Sequence, residues 1–279
     1  MNRRATQRPT PFLFSMKGHV LFSQSTIATC FIVLSLCFSA VGAAADETPS
    51  STASAWTTSA PDYRGFIQGG YSIGRVYSEF GAGRTDRRSS FVGSAAYLQF
   101  PFAIKVDARQ DEFISSDNTG GQGTLFRTPD GALNFSPQFD ARQSNVDARL
   151  ELELLDPHIY LGVGYLQTAN NYGFPKLRGV GLGLEKLPDF DPSYGIYFSA
   201  FYYPTVTGKF DADPAGPNPG QSFTQQYRLL KYDVAVDVPI QQSPIYLAAG
   251  FSGDRFYHRH GATLDQTHAG PYVALGVRF

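Results

Sequence analysis

From Tyr63 onward, apolar and polar residues alternate with a period of two along most of the chain. Residues 146–154 show it plainly. Val146, Ala148, Leu150, Leu152 and Leu154 fall on one face, and Asp147, Arg149, Glu151 and Glu153 on the other. Successive strand residues point to opposite sides, so this period predicts half-buried β-strands. Ten such segments are read, at roughly 64–80, 89–100, 102–113, 146–156, 159–172, 177–188, 194–209, 225–240, 245–258 and 271–279. No amphipathic helix of ten or more residues follows Asp46. The pattern predicts an all-β chain.

The connections alternate in length. Short ones carry proline: Phe100 to Phe102 around Pro101, Asp156 to His158 around Pro157, Phe190 to Ser193 around Pro192, and Gln242 to Pro244. The others are mostly longer and polar: 81–88, 114–145, 173–176, 210–224 and 259–270. This sorting predicts an up-and-down array with tight turns at one end and loops at the other. One join is ambiguous. Leu98, Phe100, Phe102 and Ile104 keep a single phase through Pro101, as one long strand would. Parity decides for a hairpin at Pro101, because an even strand number returns both termini to the turn end.

The final segment alternates as well. Val273, Leu275, Val277 and Phe279 share one face, and Tyr272, Ala274, Gly276 and Arg278 the other. An alternating strand that closes on an aromatic, after short turns opposite long loops, resembles the bacterial outer-membrane β-barrel superfamily. The resemblance covers 63–279 and rests on the shared pattern, with no family-specific motif. It implies an antiparallel up-and-down transmembrane barrel of about ten strands, with eight or twelve as alternatives. It also implies that Val273, Leu275, Val277 and Phe279 form an assembly signal for the barrel-assembly machinery. Val277 stands where an aromatic is usual and Ala274 where glycine is frequent.

The N-terminus fits export. Arg3, Arg4, Arg8 and Lys17 precede an apolar run from Ile27 to Val41, followed by Gly42, Ala43, Ala44 and Ala45. This reads as a cleaved signal over 1–45; the run is short for a helical span, which needs about 20 residues. Both cysteines, Cys30 and Cys37, lie inside it. Residues 46–61, rich in Ser, Thr, Ala and Pro and holding the single Trp56, read as a disordered periplasmic tail. The barrel is assigned to 62–279. Four of the 23 basic residues fall within the signal and all 24 acidic ones after it, which leaves −5 with neutral histidines. No basic patch suggests nucleic acid.

Charges on a lipid face cost about 2–4 kcal/mol at mid-membrane for basic residues. The charged face must therefore turn to the lumen: Lys105, Asp107, Arg109 and Asp111 on the third segment, Asp147, Arg149, Glu151 and Glu153 on the fourth, and Lys231, Asp233 and Asp237 on the eighth. Such a set either plugs a narrow interior with salt bridges or forms a charged constriction for small solutes. Gly162, Gly164, Gly179, Gly181 and Gly183 share the inward face of two neighbouring segments and leave room there. Aromatics near the segment ends predict two interfacial girdles: Phe100, Phe102, Tyr160, Tyr194, Tyr246 and Phe279 at the turn end, and Tyr77, Phe80, Phe113, Tyr172, Tyr202, Phe210, Tyr227, Phe256 and Tyr257 at the loop end.

Catalytic patterns are weak. Ten-stranded barrels include the omptin proteases, which use acids and a histidine on the outer rim. Asp211 and Asp213 could face His258 and His260 across the mouth, but no Asp-x-His pattern appears in the fourth loop. His258 and His260, with His268, are weak metal candidates. The expectation is a non-enzymatic structural or narrow-pore barrel in the outer membrane, without a cofactor or resident metal. Its partners would be outer-membrane lipids, small solutes or an extracellular ligand. The alternative is surface recognition through loops 114–145 and 210–224.

Overall fold

Among the described residues, each strand of the main sheet has antiparallel neighbours that close it into a ring, the first pairing with the last. The computed structural model describes residues 62–77, 86–114, 124–137, 139–156, 158–190, 194–262 and 264–279. The described barrel belongs to one compact unit, Ala53–Phe279. The signal, tail and Trp56 readings lie outside the described residues.

The strands are β1 (Gly65–Ser72), β2 (Arg75–Tyr77), β3 (Asp86–Gln99), β4 (Phe102–Ile114), β5 (Thr124–Arg127), β6 (Leu133–Ser136), β7 (Asp140–Leu155), β8 (Ile159–Asn170), β9 (Arg178–Lys186), β10 (Gly195–Asp211), β11 (Ser222–Pro239), β12 (Ile245–His258) and β13 (Gln266–Arg278). β1 and β2 lie in line against β13 and act as one strand. The ring therefore holds ten antiparallel strands in the order β1/β2, β3, β4, β7, β8, β9, β10, β11, β12, β13, closed by β1 on β13. Closure leaves the described ring without a free sheet edge to aggregate or to need water. β5 and β6 form a separate hairpin inside the loop between β4 and β7. Its turn is tied by Gly131 N–H to Thr128 C=O, with Gly131 at φ 84°, which glycine adopts without strain.

The hairpin at Pro101 is present: β3 pairs with β4 from Gln99↔Phe102 upward. The apparent single phase breaks there, because Leu98 is buried inside while Phe102 and Ile104 face outward. Several strands are longer or shorter than the hydropathy implies. β7 begins at Asp140, not 146, and β13 at Gln266, not 271. Above the apolar belt both faces are polar, so alternation fades while the hydrogen-bond ladder continues. β9 ends at Lys186, and the following segment carries Leu187 and Phe190 into the barrel, both buried.

The outer wall is apolar. Leu150, Leu161, Val163, Val180, Leu182, Ile196, Val234, Leu247, Val273 and Leu275 are all exposed on it. Val277 and Phe279 are exposed too, so the proposed assembly face points outward. The girdles need correction. Phe100, Phe102, Tyr194, Tyr202 and Phe279 do face out, but Tyr160, Tyr246, Phe113, Tyr227 and Phe256 are buried inside. Height along a strand does not set the side. Tyr160 shares the inward phase of Gly162 and Gly164, and that phase decides it. The side chains of Tyr77 and Phe80 lie outside the described residues.

Candidate functional site in the barrel interior

Inward side chains fill the lumen in layers. At the turn end, Tyr63, Phe66, Phe190 and Tyr246 interlock, with ring centroids 4.8 Å apart for Tyr63–Phe190 and 4.7 Å for Phe190–Tyr246. The Tyr63 hydroxyl donates to Pro188 C=O at 2.8 Å, and the Arg278 guanidinium donates to Phe190 C=O at 3.1 Å. These bonds hold the 187–190 segment across the opening.

The middle layer is ionic. Arg149 on β7 donates through Nη1 to Glu185 on β9 at 2.8 Å, through Nη2 to Asp107 on β4 at 2.8 Å, and through Nε to Asp147 at 2.9 Å. Lys105 on β4 pairs with the other Glu185 oxygen, donates to the Tyr197 hydroxyl on β10 at 2.5 Å, and lies 3.2 Å from Asp107. The Tyr203 hydroxyl on β10 donates to Asp147. Arg149 also sits 3.9 Å over the Phe201 ring, and Lys105 4.6 Å over Tyr197. Two cations thus tie β4, β7, β9 and β10 together through a few shared carboxylates. Fork-like guanidinium contacts of this kind fix geometry as well as charge.

A third layer lies toward the loops. Asn145 on β7 donates to Asp254 on β12 at 2.7 Å, which joins diametrically opposite strands. Lys231 approaches Asp254 at 3.3 Å. Arg109 donates to Asp111 at 2.9 Å and reaches Ser252 on β12 at 3.2 Å. Asp111 also takes the Ser90 hydroxyl and contacts His268 Nδ1 at 3.0 Å. Above them Leu166, Val206, Tyr227, Leu229 and Phe256 form an apolar cap, with Gln225 and Gln266 amides donating to the Tyr227 hydroxyl. A small cavity of about 60 Å³ remains between the layers, lined among others by Asp107, Arg109, Arg149, Lys231, Asp233 and Asp254.

All eleven residues of the lumen cluster point inward. Lys105, Arg109, Asp111, Asp147, Arg149, Glu151, Glu153, Lys231 and Asp237 are buried, and Asp107 and Asp233 are partly so. They do not form one cluster. Glu153 lies at the turn end with Tyr160 and His158, and Asp233 accepts from Tyr272 at 3.0 Å. Sequence reading missed Glu185, Asp254, Tyr197 and Tyr203, which complete the network. Glu185 is the lone inward charge of its strand, in phase with Gly179, Gly181 and Gly183, and that phase was the available signal.

The inward glycines are not voids. Phe201, Tyr203 and Val206 from β10 lie over them. Pro204 cannot donate to a ladder, and β10 shifts register there against both neighbours. The bulge keeps Phe201, Tyr203 and Val206 all turned inward.

The rim candidates do not assemble into a site. Asp213 caps its own turn through Ala215 N–H at 2.8 Å, and Asp211 takes the Ser222 hydroxyl. His258 is engaged by Asp265, whose carboxyl is held below its usual range first by the His258 backbone N–H and then by the ring. His268 is not a loop residue: it lies in β13, fully buried against Asp111. Among the described residues no group of three or more His, Cys, Asp or Glu has a metal-binding arrangement.

No family model matches the chain, and no curated protein matches it. Among solved structures, the outer membrane protease OmpT from Escherichia coli is similar at 12% identity and TM-score 0.42, over 77% of this chain and 93% of that one. A bacterial polysaccharide outer membrane secretin is similar at 9% identity and TM-score 0.26, over 77% and 98%.

Proposed function

We propose that this chain is a bacterial outer-membrane barrel whose lumen is closed, with a structural rather than a conducting role. The observation that carries the reading is the buried Lys105–Glu185–Arg149–Asp107–Asp147 network, which with the Asn145–Asp254 bond between opposite strands fills the interior between an aromatic floor and an apolar cap. A cavity of about 60 Å³ lies beside this network, lined by Asp107, Arg109, Arg149, Lys231, Asp233 and Asp254. On this reading residues 1–45 are a cleaved signal and 46–61 a periplasmic tail, and N-terminal sequencing of the mature protein should begin at Asp46. Val273, Leu275, Val277 and Phe279 serve recognition by the assembly machinery.

The test is single-channel recording of the protein reconstituted in a planar bilayer. Silence from demonstrably folded protein is expected. Stable steps that depend on ion charge would sink the closed-lumen reading and restore a narrow pore filtered by Lys105, Arg149 and Glu185. The lipid-facing assignment has its own check. Leu182→Arg should lose about 2–4 kcal/mol of stability in vesicles. An exposed position facing water should change by less than about 0.5 kcal/mol.

A second reading has one specific support. The Asn218 amide donates to Asp130 C=O at 3.0 Å, which ties the 212–221 loop to the β5–β6 hairpin. The two loops named for surface recognition therefore form one joined surface. Deleting the hairpin should abolish ligand capture and leave the barrel folded, if recognition is the role.

A further inference from the structure

The outer wall is not uniform at the loop end. On β4 and β7 its polar positions are self-neutralised: Arg142 pairs with Glu112 at 2.8 Å. On the wall from β9 to β12 the cations are left over. Lys176, Arg178, Lys209, Arg228 and Arg255 are all exposed, and none pairs with a described carboxylate within ion-pair distance. The strand phase turns Arg178, Lys209, Arg228 and Arg255 outward, alongside Val180, Leu182, Tyr202 and Val234, while their neighbours Leu177, Val206, Tyr227 and Leu229 are buried inside. Asp211 shares this wall and is taken by Ser222.

The ladder brings Arg178 and Lys209 together as diagonal neighbours, whereas Arg255 lies lower, in the row of Leu230, Tyr202 and Leu182. Gln167, Arg178, Thr207 and Gln226 are successive register partners across β8, β9, β10 and β11, and Lys209 pairs with Thr224. Lys176, Arg178, Thr207, Lys209 and Thr224 line an open groove in the outer wall. Two residues lower the surface is apolar, with Tyr165 beside Val180. Arg255 lies over the Tyr257 ring at 4.8 Å, which presents its guanidinium along the wall.

An exposed groove carrying Lys176, Arg178 and Lys209 directly above an apolar surface fits one kind of occupant. We propose that this groove binds the phosphate groups of a phosphorylated, polyacylated glycolipid in the outer leaflet. Its acyl chains would lie on Val180, Leu182 and Tyr202, its phosphates would meet Arg178, Lys176 and Lys209, and the Thr224 hydroxyl would donate to a remaining phosphate oxygen, while the Thr207 hydroxyl is taken by Gln225 C=O. Guanidinium forks and ammonium groups are the common phosphate donors, and basic residues at a membrane surface attract anionic headgroups. The inference rests on the membrane reading above.

The test uses the full, detergent-solubilised protein. Its binding to purified lipid A is measured, with phosphatidylcholine and inorganic phosphate as comparison probes. Wild type should bind lipid A and melt several degrees higher in its presence, with neither effect from phosphatidylcholine. The Lys176→Gln/Arg178→Gln/Lys209→Gln variant should melt like wild type in detergent alone and bind lipid A at least about tenfold more weakly, a change of about 1.4 kcal/mol. Equal stabilisation by phosphatidylcholine, the same effect from inorganic phosphate, or undiminished binding by the triple variant would each overturn the proposal. Insertion into phosphatidylcholine vesicles is scored in parallel. Failure there refutes the membrane reading itself, whereas insertion without lipid A preference refutes only this site.

Discussion

Arg149→Ala should lower the stability of the refolded barrel by about 3–5 kcal/mol, the range for removing one partner of a buried ion pair. The size follows from what stays behind. Asp107, Asp147 and Glu185 each accept from this guanidinium, and Asp147 and Glu185 have no exposed surface to offer water. The buried network is weak evidence that the pairs stabilise more than an apolar filling would, but breaking it from one side is costly in any case. Urea unfolding in vesicles, followed by the heat-modifiable band, measures the loss. Arg142→Ala is the control, because its pair with Glu112 is half in solvent and should be worth about 0–1 kcal/mol. A double-mutant cycle of Arg149 with Glu185 should return a coupling of at least about 1 kcal/mol. A loss below about 0.5 kcal/mol for Arg149→Ala would show that the centre of the lumen is wet and the closure assigned to it is absent.

The same residues show how far the sequence could be read. Alternation located the strands because the two faces of each differ in polarity, and it placed Lys105, Asp107, Arg149 and Asp147 together on the inward face. It could not say which charges meet. Contact across a barrel depends on strand order, tilt and side-chain reach, and Asn145 with Asp254 is a contact over 109 residues between opposite walls. Alternation also failed where both faces are polar, which hid the starts of β7 and β13 and moved His268 into a loop. Aromatic content misled for a related reason. Inside a closed, narrow barrel, Tyr160, Tyr227 and Tyr246 serve as filling with a hydroxyl handle, so a tyrosine near a strand end does not by itself mark an interface.

The glycine face makes the sharpest packing prediction, because the two glycines facing Phe201 should respond differently. A Cβ at Gly162 would stand 2.9 Å from Phe201 Cζ and 2.9 Å from Glu151 Cγ, both side-chain atoms. A Cβ at Gly183 would meet backbone, Ala200 O and, at 2.7 Å, Phe201 Cα, together with Phe201 Cγ at the base of the side chain, a position that leucine also fills. Overpacking costs about 1–3 kcal/mol where side chains can give, and more where backbone must move. Gly162→Val should therefore lose stability in that range, and adding Phe201→Leu should recover part of it by withdrawing the ring tip. Gly183→Val should lose more, and Phe201→Leu should recover nothing, because the obstructing atoms remain. Urea midpoints of the two singles and two doubles decide the matter. Neutral behaviour at Gly162, or rescue at Gly183, would mean that the β10 rings do not lie over the glycine face and that the lumen is filled in another way.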